Sequence, residues 1–585
     1  MKQALSLGLD SFKKSNFDQA KLLFQKVLQL DPNNFFAFHL LGIILLQEEN
    51  FSISQKLLLK AVSLQPKDAE ANHHLGLAYK GLGQKEIASK CFLAAINLKP
   101  SFAVAHLGYA DVSSELGRYE LAIKHYLKAI KYDAKLIKAH NNLGSVFRKQ
   151  SKLLEAINCY KAAYKLDPSR LDIYSNVLMG MASEPSFTAE QYIAEARKFG
   201  KAASKQAKPY TDWPNLEKQT EKLRVGLVSG DLRKHSVAYF LMSWIDKLDP
   251  KKVELFAYSN YPIEDEVSEE LKPHFVKWTK IAGAADKEVA HAIYEDRVNI
   301  LIDLSGHTAQ NRLPLFAWKA APIQISWMGF FASSGVEEID YFIGDQWNFP
   351  EGIQQYYVEK AWRLNTSSCF SPPKVKIEVE CLPALENGYI TFGCFHKVAK
   401  LNNDVLALWS DILHSVPNSK LIVKDTAFVD SSISDDLKQR LKSLGIDADR
   451  IICEVGESRE AYFSSYNRVD LCLDPFPFNG GTVNMESLWM GVPFVSLLGQ
   501  DRISRRGAAT LYKAGLDEFV AESTEEYIEI VKRVCTDINA LSDLRKELRH
   551  RALDSSLYNG KLMAKDLEGA FFDMWSVFTK SIERV

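Results

Sequence analysis

The sequence predicts an α-helical solenoid followed by an α/β region made of two parallel-sheet lobes. Three observations carry that expectation: a 34-residue period up to Pro168, its loss beyond that point, and short apolar runs alternating with helical segments from Leu223 onward. A chain of 585 residues is longer than one hydrophobic core serves, so several domains are expected. Hydrophobic residues at 46% and charged residues at 25% match ordinary globular usage and exclude disordered, collagen-like and coiled-coil chains. With 72 Lys and Arg against 73 Asp and Glu the net charge is −1, which excludes the strong basic field of a dedicated nucleic-acid binder or of a protein drawn to anionic membranes.

The eight cysteines, at 91, 159, 369, 381, 394, 453, 472 and 535, form no C-x-x-C pair and no zinc-ligand spacing, so they read as reduced core residues. The opening MKQALSLGLDSFKKSNF carries Asp10, Lys13 and Lys14 where a signal peptide needs its apolar stretch. No apolar run of about 18 residues occurs to span a membrane. A cytoplasmic location is the expectation.

The period is legible in five columns. Pro32, Pro66, Pro100 and Pro168 close the units, with Ala134 in the remaining place, and Gly8, Gly42, Gly76 and Gly144 align with Ala110. Ala20, Ser54, Ala88, Ala122 and Ala156 form a third column, Phe24, Leu58, Phe92, Tyr126 and Tyr160 a fourth, and Val27, Ala61, Ala95, Ala129 and Ala163 a fifth. Small residues let two antiparallel helices approach, a large side chain fills the gap to the next hairpin, and proline stops the second helix. The pattern resembles five tetratricopeptide repeats over residues 1–168. Such hairpins stack into a superhelix whose concave face holds an extended peptide or partner protein. Superhelices of this kind can pair through their convex faces, which leaves a homodimer through the repeats open. His73 and His74 are adjacent on a helix, do not share a face, and read as groove or packing residues.

Residues 169–222 predict a capping helix and a charged, proline-bearing linker. Beyond them RVGLVSG, VELFAYS, VNILIDLSG, PIQISWMG and DYFIGD form one series of buried strands, and GYITFGC, SKLIVKD, RIICEVG, VDLCLDP and PFVSLL a second. They predict two Rossmann-like lobes, 223–385 and 386–585. Ligands of such sheets lie beyond the carboxyl ends of the strands, so the segments following the strands are where chemistry is expected. SGDLRKHSVAYF delivers Asp231 and His235, SGHTAQNRL delivers His307, Thr308, Asn311 and Arg312, and CFHKVAKLNND delivers His396, Lys397 and Lys400. DPFPFNGGTVNMESLWMGVP delivers Asn479, Gly480, Gly481, Thr482, Val483 and Glu486. In this last segment two glycines permit close backbone approach, Thr482 is placed to cap, and the helix VNMESLWM turns free amides and its positive dipole end toward an anion such as a diphosphate. Glu486, one turn further on, suits a ribose diol. No G-x-x-x-x-G-K-[ST] or post-strand G-x-G-x-x-G occurs, so P-loop hydrolysis and nicotinamide chemistry are disfavoured.

Together RVGLVSGDLRKHSVAYF, DLSGHTAQNRL, APIQISWMGFFASSG, FHKVAKL, CLDPFPFNGGT through ESLWMGVPFVSLLG, and SRRGAATL resemble glycosyltransferase family 41. That family holds the O-linked N-acetylglucosamine transferases and the SPINDLY-type O-fucosyltransferases. The resemblance implies a GT-B pair of lobes behind the repeats. It implies His235 as the active-site histidine, Lys400 as the lysine that stabilises the departing diphosphate, and Lys397 beside the nucleotide. It places Tyr462 near the ring that stacks on the base, Gly481, Thr482 and Val483 in the phosphate-binding turn, and Glu486 on the ribose. His307, Thr308, Asn311 and Arg312 match a segment facing the cleft in a form nearer the bacterial and SPINDLY-like branch. The plainer alternatives are a satisfied core histidine for His235 and His307 and a solvated lysine for Lys400. The family's asparagine ladder is represented only by Asn142, the equivalent places holding Ser6, Leu40, His74 and Gly108. Val483 replaces a hydroxyl residue, and His396 stands where asparagine is usual.

The expected activity is inverting transfer of N-acetylglucosamine from UDP-N-acetylglucosamine to Ser or Thr of protein acceptors recruited by the repeats. GDP-fucose and UDP-glucose are the alternative donors, and a non-catalytic repeat scaffold is the alternative class. Lys400 and the Gly480–Thr482 amides would offset charge on the leaving diphosphate; His235, Asp231, a phosphate oxygen or a water chain would take the proton. Asp447-Ala448-Asp449 reads as a turn before a strand, not a metal-binding D-x-D, so no metal and no cofactor are expected.

Overall fold

The computed structural model describes residues 1–214, 221–456 and 458–582; residues 215–220 of the expected linker lie outside them. The chain divides into two compact units, residues 1–149 with 158–168, and residues 150–157 with the remainder from Ser169.

In the first unit helices alternate as Lys2–Lys13 and Phe17–Leu30, Phe35–Gln47 and Phe51–Leu64, Ala69–Gly81 and Lys85–Leu98, and Ala103–Glu115 and Tyr119–Tyr132. Asn34 and Asp68 accept the amides of Ala37 and Ala71, starting each first helix with the side-chain cap its free N–H groups need. The sequence columns are the contacts between hairpin helices. A Cβ on Gly8 would stand 2.7 Å from the Phe24 ring, on Gly42 2.5 Å from Leu58, and on Gly76 2.8 Å from Phe92. Ala20, Ser54, Ala88, Ala122 and Ala156 are fully buried, as are Val27, Ala61, Ala95, Ala129 and Ala163. His73 packs on Phe92 and Phe102, and His74 Nδ1 lies 3.0 Å from His39 Nε2 of the preceding repeat, so the two neighbours face different partners.

The second unit opens with two helices, Leu171–Met181 and Ala189–Gln206, where the sequence suggested one capping helix. Thr188 and Gln191 start the second with a reciprocal capping box. It fuses to the first lobe: a Cβ on Gly200 would meet the Gly335 carbonyl at 1.7 Å, and the Tyr192 hydroxyl donates to the Ser333 carbonyl at 2.9 Å.

The first lobe holds β1 (Leu223–Ser229), β2 (Val253–Ser259), β3 (Lys277–Lys280), β4 (Ile300–Asp303), β5 (Ile323–Ser326), β6 (Tyr341–Asp345) and β7 (Lys360–Leu364). They pair in parallel in the order β3-β2-β1-β4-β5-β6-β7. The second lobe holds β8 (Thr391–Cys394), β9 (Lys420–Lys424), β10 (Ile451–Glu454), β11 (Leu471–Leu473), β12 (Phe494–Leu497) and β13 (Val520–Ala521), in the order β10-β9-β8-β11-β12-β13. Both sheets reverse strand order beside their first strand, which creates one switch point between β1 and β4 and another between β8 and β11. The strands β3, β7 and β13, absent from the apolar series of the sequence, are edge or near-edge strands; β3 is exposed at both ends.

Assigning the chain's end to the second lobe needs one correction. The last helix, Gly560–Ile582, returns to the first lobe: a Cβ on Gly560 would stand 1.7 Å from the Ser243 carbonyl, and Glu568 accepts the Asp249 amide at 2.6 Å and pairs with Lys252 at 3.1 Å. A buried ion pair also ties the lobes, Asp345 at the end of β6 with Lys513 of the helix Arg506–Ala514. Burial pushes the Asp345 carboxyl up, but the Lys513 ammonium and the hydrogen bonds from Ser367 and Asn348 outweigh it and hold the group down to about 2.

Two stability predictions follow from these contacts. Gly76→Val drives two methyl groups toward the Phe92 ring and is expected to cost about 2 kcal/mol, seen in the thermal melt of the whole chain. Lys513→Met leaves Asp345 buried without its cation and is expected to cost about 3–5 kcal/mol. The wild-type pair contributes in full above the ordinary carboxylate range and loses its contribution as pH falls through about 2, so the gap between wild type and variant narrows in acid.

Candidate active site between two switch points

Four loops meet where the strand order reverses. After β1 the chain bends through Gly230, and Asp231 and His235 follow, His235 as the N-cap of Ser236–Leu241 with Nδ1 accepting the Val237 amide at 3.3 Å. Asp231 Oδ1 lies 3.4 Å from the same ring nitrogen. Burial pushes the Asp231 carboxyl up to about 6 against the pull of Arg233. Burial, helped by the charges of Arg233 and Lys397, pushes His235 down to about 4, so the imidazole is neutral at physiological pH. The pair therefore combines a neutral ring with a carboxyl that titrates close to neutrality, the condition a proton-transfer site requires.

The loop after β4 behaves differently from its expected ligand-binding role. His307 is 1% exposed, with Nδ1 3.0 Å from Ser175 Oγ, Nε2 3.0 Å from the Ser334 carbonyl, and its ring edge-on to Phe199. Both nitrogens are engaged and burial lowers the ring to about 3, so His307 is a packing residue. Thr308 donates to the Ser305 carbonyl and Asn311 to the Thr308 carbonyl. Arg312 pairs with Asp286 at 2.6 Å and donates to the carbonyls of Ile281 and Ala284. These three side chains spend most of their bonds on the wall itself, although the buried Arg312 Nε has no hydrogen-bond partner among the described residues.

In the second lobe Val398–Lys400 forms a single 3₁₀ turn after β8. Lys400 Nζ donates to the Asn479 carbonyl at 2.9 Å and lies 4.3 Å from the centre of the Phe478 ring. Burial first, and repulsion from Arg506 second, press the ammonium toward its neutral form, while Asp474 opposes them. Lys397 is exposed, and its charge reaches both His235 and Lys400. The Lys397 charge thus bears both on the residue expected for proton transfer and on the lysine expected for charge relief.

After β11, Asp474 is fully buried and organises the turn: Oδ1 accepts the Gly480 amide at 2.7 Å and Oδ2 the Ser496 hydroxyl at 2.7 Å. Its oxygen is also 3.5 Å from Nε2 of the buried His396. Gly480 has no room for a Cβ, which would sit 2.2 Å from Asn484 Oδ1 and 2.3 Å from His396 Cε1. Gly481, not Thr482, is the N-cap of Thr482–Trp489, and no side chain caps it; Thr482 is the first helical residue. The leading amides are left to an external acceptor. Asn479 is turned inward, donating to the Pro475 carbonyl at 3.0 Å, so its side chain builds the turn. The Val483 carbonyl accepts from the Tyr466 hydroxyl at 3.4 Å.

Glu486 is 2% exposed and accepts from Arg459 at 2.9 Å and from the Tyr462 hydroxyl at 2.8 Å. Burial raises its carboxyl, partly offset by Arg459 and Tyr462. Tyr462 and Glu486, chosen separately from the sequence, are thus one hydrogen-bonded unit. Arg459 in turn lies 4.9 Å from the Tyr239 ring of the first lobe.

Both lobes line a cleft that includes Phe240 and Phe331 on one side and Gly480, Gly481 and Arg506 on the other. Sequence reasoning missed Asp474, which lies within a segment it quoted, and Arg506. The signal for Arg506 was available, because SRRG follows β12, the strand next to β11, and so opens at the same sheet end. The Asp447–Asp449 pair lies in a turn before β10, at the amino end of an edge strand and away from these loops.

Comparison with known proteins bears on the fold and the family. The chain is 35% identical over 385 residues to the probable UDP-N-acetylglucosamine--peptide N-acetylglucosaminyltransferase SPINDLY of Hordeum vulgare, covering 65% of this chain and 41% of that protein. It is 36% identical over 385 residues to the protein of the same name from Oryza sativa subsp. japonica, covering 65% and 42%. This chain thus spans about two fifths of the length of those relatives. A point mutant of the O-GlcNAc transferase of Thermobaculum terrenum superposes with a TM-score of 0.80 at 28% identity, over 88% of this chain and 98% of that one. Tetratricopeptide repeat profiles match residues 69–102, 110–151 and 137–170. The profile of glycosyl transferase family 41 matches residues 198–370 and 372–567, most of the chain, and the protein belongs to that family.

Proposed function

We propose that the chain is an inverting, metal-independent protein O-glycosyltransferase that moves N-acetylglucosamine from UDP-N-acetylglucosamine to Ser or Thr of proteins recruited by its repeats. The observation that carries the reading is Lys400 bonded at 2.9 Å to the Asn479 carbonyl, beside the uncapped start of Thr482–Trp489. Ammonium and amides together meet an anion where a leaving diphosphate gains charge. The relatives named for UDP-N-acetylglucosamine support that donor.

In the reaction the acceptor hydroxyl oxygen attacks the anomeric carbon from the face opposite the diphosphate. The new C–O bond forms as the old one breaks, and its electron pair passes to the diphosphate. Lys400 and the uncapped amides that open the helix Thr482–Trp489 offset that charge, the role a divalent ion would otherwise fill. We assign the hydroxyl proton to the Asp231–His235 pair, whose carboxylate and neutral ring lie 3.4 Å apart and are unprotonated above about pH 6. Glu486, steadied by Arg459 and Tyr462, takes the ribose hydroxyls. The reading carries with it a cytoplasmic location, where thiols such as the buried Cys369, Cys394 and Cys472 stay reduced.

Purified chain incubated with UDP-N-acetylglucosamine, UDP-glucose or GDP-fucose and a Ser/Thr-rich acceptor mixture tests this directly. Turnover of UDP-N-acetylglucosamine is expected, unchanged by chelator and reduced about 10²- to 10³-fold in Lys400→Ala. Abolition by chelator refutes metal independence, turnover of GDP-fucose alone changes the donor, and binding without turnover favours a scaffold. The acid limb of kcat/KM is expected near pH 6, where Asp231 protonates, so activity falls as pH drops through that value. Asp231→Asn should remove that limb along with most of the activity, and a limb that persists unchanged refutes the assignment.

A further inference from the structure

Arg506 opens the helix Arg506–Ala514 beyond β12, at the sheet end where the donor turn lies. Its guanidinium is pressed against that turn so closely that a Cβ on Gly481 would stand 1.8 Å from Nη2. The Phe331 ring of the first lobe covers the guanidinium face at 3.6 Å from its centre, leaving the N–H edge to point elsewhere. Among the described residues that edge donates no hydrogen bond and meets no carboxylate at ion-pair distance. The adjacent arginine contrasts with it: Arg505 donates to the carbonyls of Trp347 and Gly499, both at 3.0 Å.

The local charge balance is one-sided. Lys400 and Arg506 crowd the turn, whereas the carboxylate that faces them, Asp474, already accepts from Gly480 and Ser496. Burial and the neighbouring Arg502 push even the Arg506 guanidinium down to about 9, although Asp474 pulls the other way. Two cations and a set of open amides with one preoccupied carboxylate call for a ligand carrying more than one negative charge. A guanidinium edge suits two adjacent phosphate oxygens better than an ammonium does, because its paired donors are fixed in a plane.

We propose that Arg506 is a second cationic ligand for the donor's diphosphate, acting beside Lys400 and holding the diphosphate through paired N–H groups. The inference rests on the nucleotide-sugar reading above and extends it to a residue that is held by Phe331 and admitted by Gly481. Arg506 thereby favours a nucleoside diphosphate over the monophosphate.

Titration calorimetry of the full chain with UDP and UMP, repeated with GDP and GMP, tests the proposal. Arg506→Gln is expected to weaken diphosphate binding about tenfold or more while monophosphate binding stays within about threefold. Arg506→Lys, which keeps the charge and loses the fork, should fall between, and Phe331→Leu should lose part of the diphosphate preference by freeing the guanidinium. An unchanged diphosphate-to-monophosphate ratio in Arg506→Gln overturns the proposal and leaves the enzyme reading standing. If that variant does not fold, unchanged ratios in Arg506→Lys and Phe331→Leu overturn it in its place. Failure of the wild-type chain to bind either diphosphate overturns the nucleotide-sugar reading and this proposal with it.

Discussion

Gly480 and Gly481 let the donor turn lie directly against the buried polar groups around it. A single methyl on either would collide with His396 and Asn484 in one case and with Arg506 in the other. Neither glycine is required for a left-handed backbone, since Gly481 has φ −131°. What they provide is proximity: the backbone lies against a buried carboxylate, a lysine and an arginine at once. Asp474 fixes the turn through the Gly480 amide, Lys400 through the Asn479 carbonyl, and the helix beyond starts with its amides uncovered. Any side chain able to cap Thr482–Trp489 from inside would compete with the ligand for the same donors.

That concentration of like charge is costly, and the titration of both cations registers it: burial and Arg506 lower Lys400, and burial and Arg502 lower Arg506. The lobes are held together independently of it. Asp345 and Lys513 form a fully partnered buried pair across them, and the last helix returns to the first lobe through Glu568 and Gly560. Positive charge can therefore accumulate at the donor turn without that turn having to hold the lobes together. Stability and ligand affinity are assigned to different residues.

Much of this was legible in the sequence because the governing patterns are local or periodic. The repeat columns translated directly into glycine–ring contacts such as Gly76 on Phe92, since a 34-residue spacing fixes both helix faces at once. The central strands were visible as apolar runs because both faces of a parallel sheet are covered. Lys277–Lys280 was not, because an edge strand has water on one side and carries Lys at both ends. Side-chain direction was the larger gap. His307 and Asn479 stand in the right loops, yet each turns inward to Ser175 and Ser334 or to the Pro475 carbonyl, partners that sequence spacing does not reveal. Arg506 was overlooked for the complementary reason: its position follows from Phe331 in the other lobe and from the missing Cβ at Gly481.

The division between occupied and open polar atoms also separates the work of the two lobes. In the first lobe the β4 loop closes on itself, with Thr308, Asn311 and Arg312 bonded to nearby carbonyls and to Asp286, so it offers shape. What that lobe presents to the cleft is an aromatic wall at Phe240 and Phe331, and the loop after β1 carries the pair Asp231 and His235. The second lobe presents the opposite inventory, uncapped amides and two cations beside one engaged carboxylate. An anionic leaving group is matched by the second inventory, and a neutral hydroxyl that must lose a proton is matched by the first. Placing charge relief and proton acceptance on separate sheets lets each be tuned by its own burial: Asp231 is raised toward neutrality in one lobe, while in the other burial lowers the ammonium and the guanidinium and a bound anion opposes that shift.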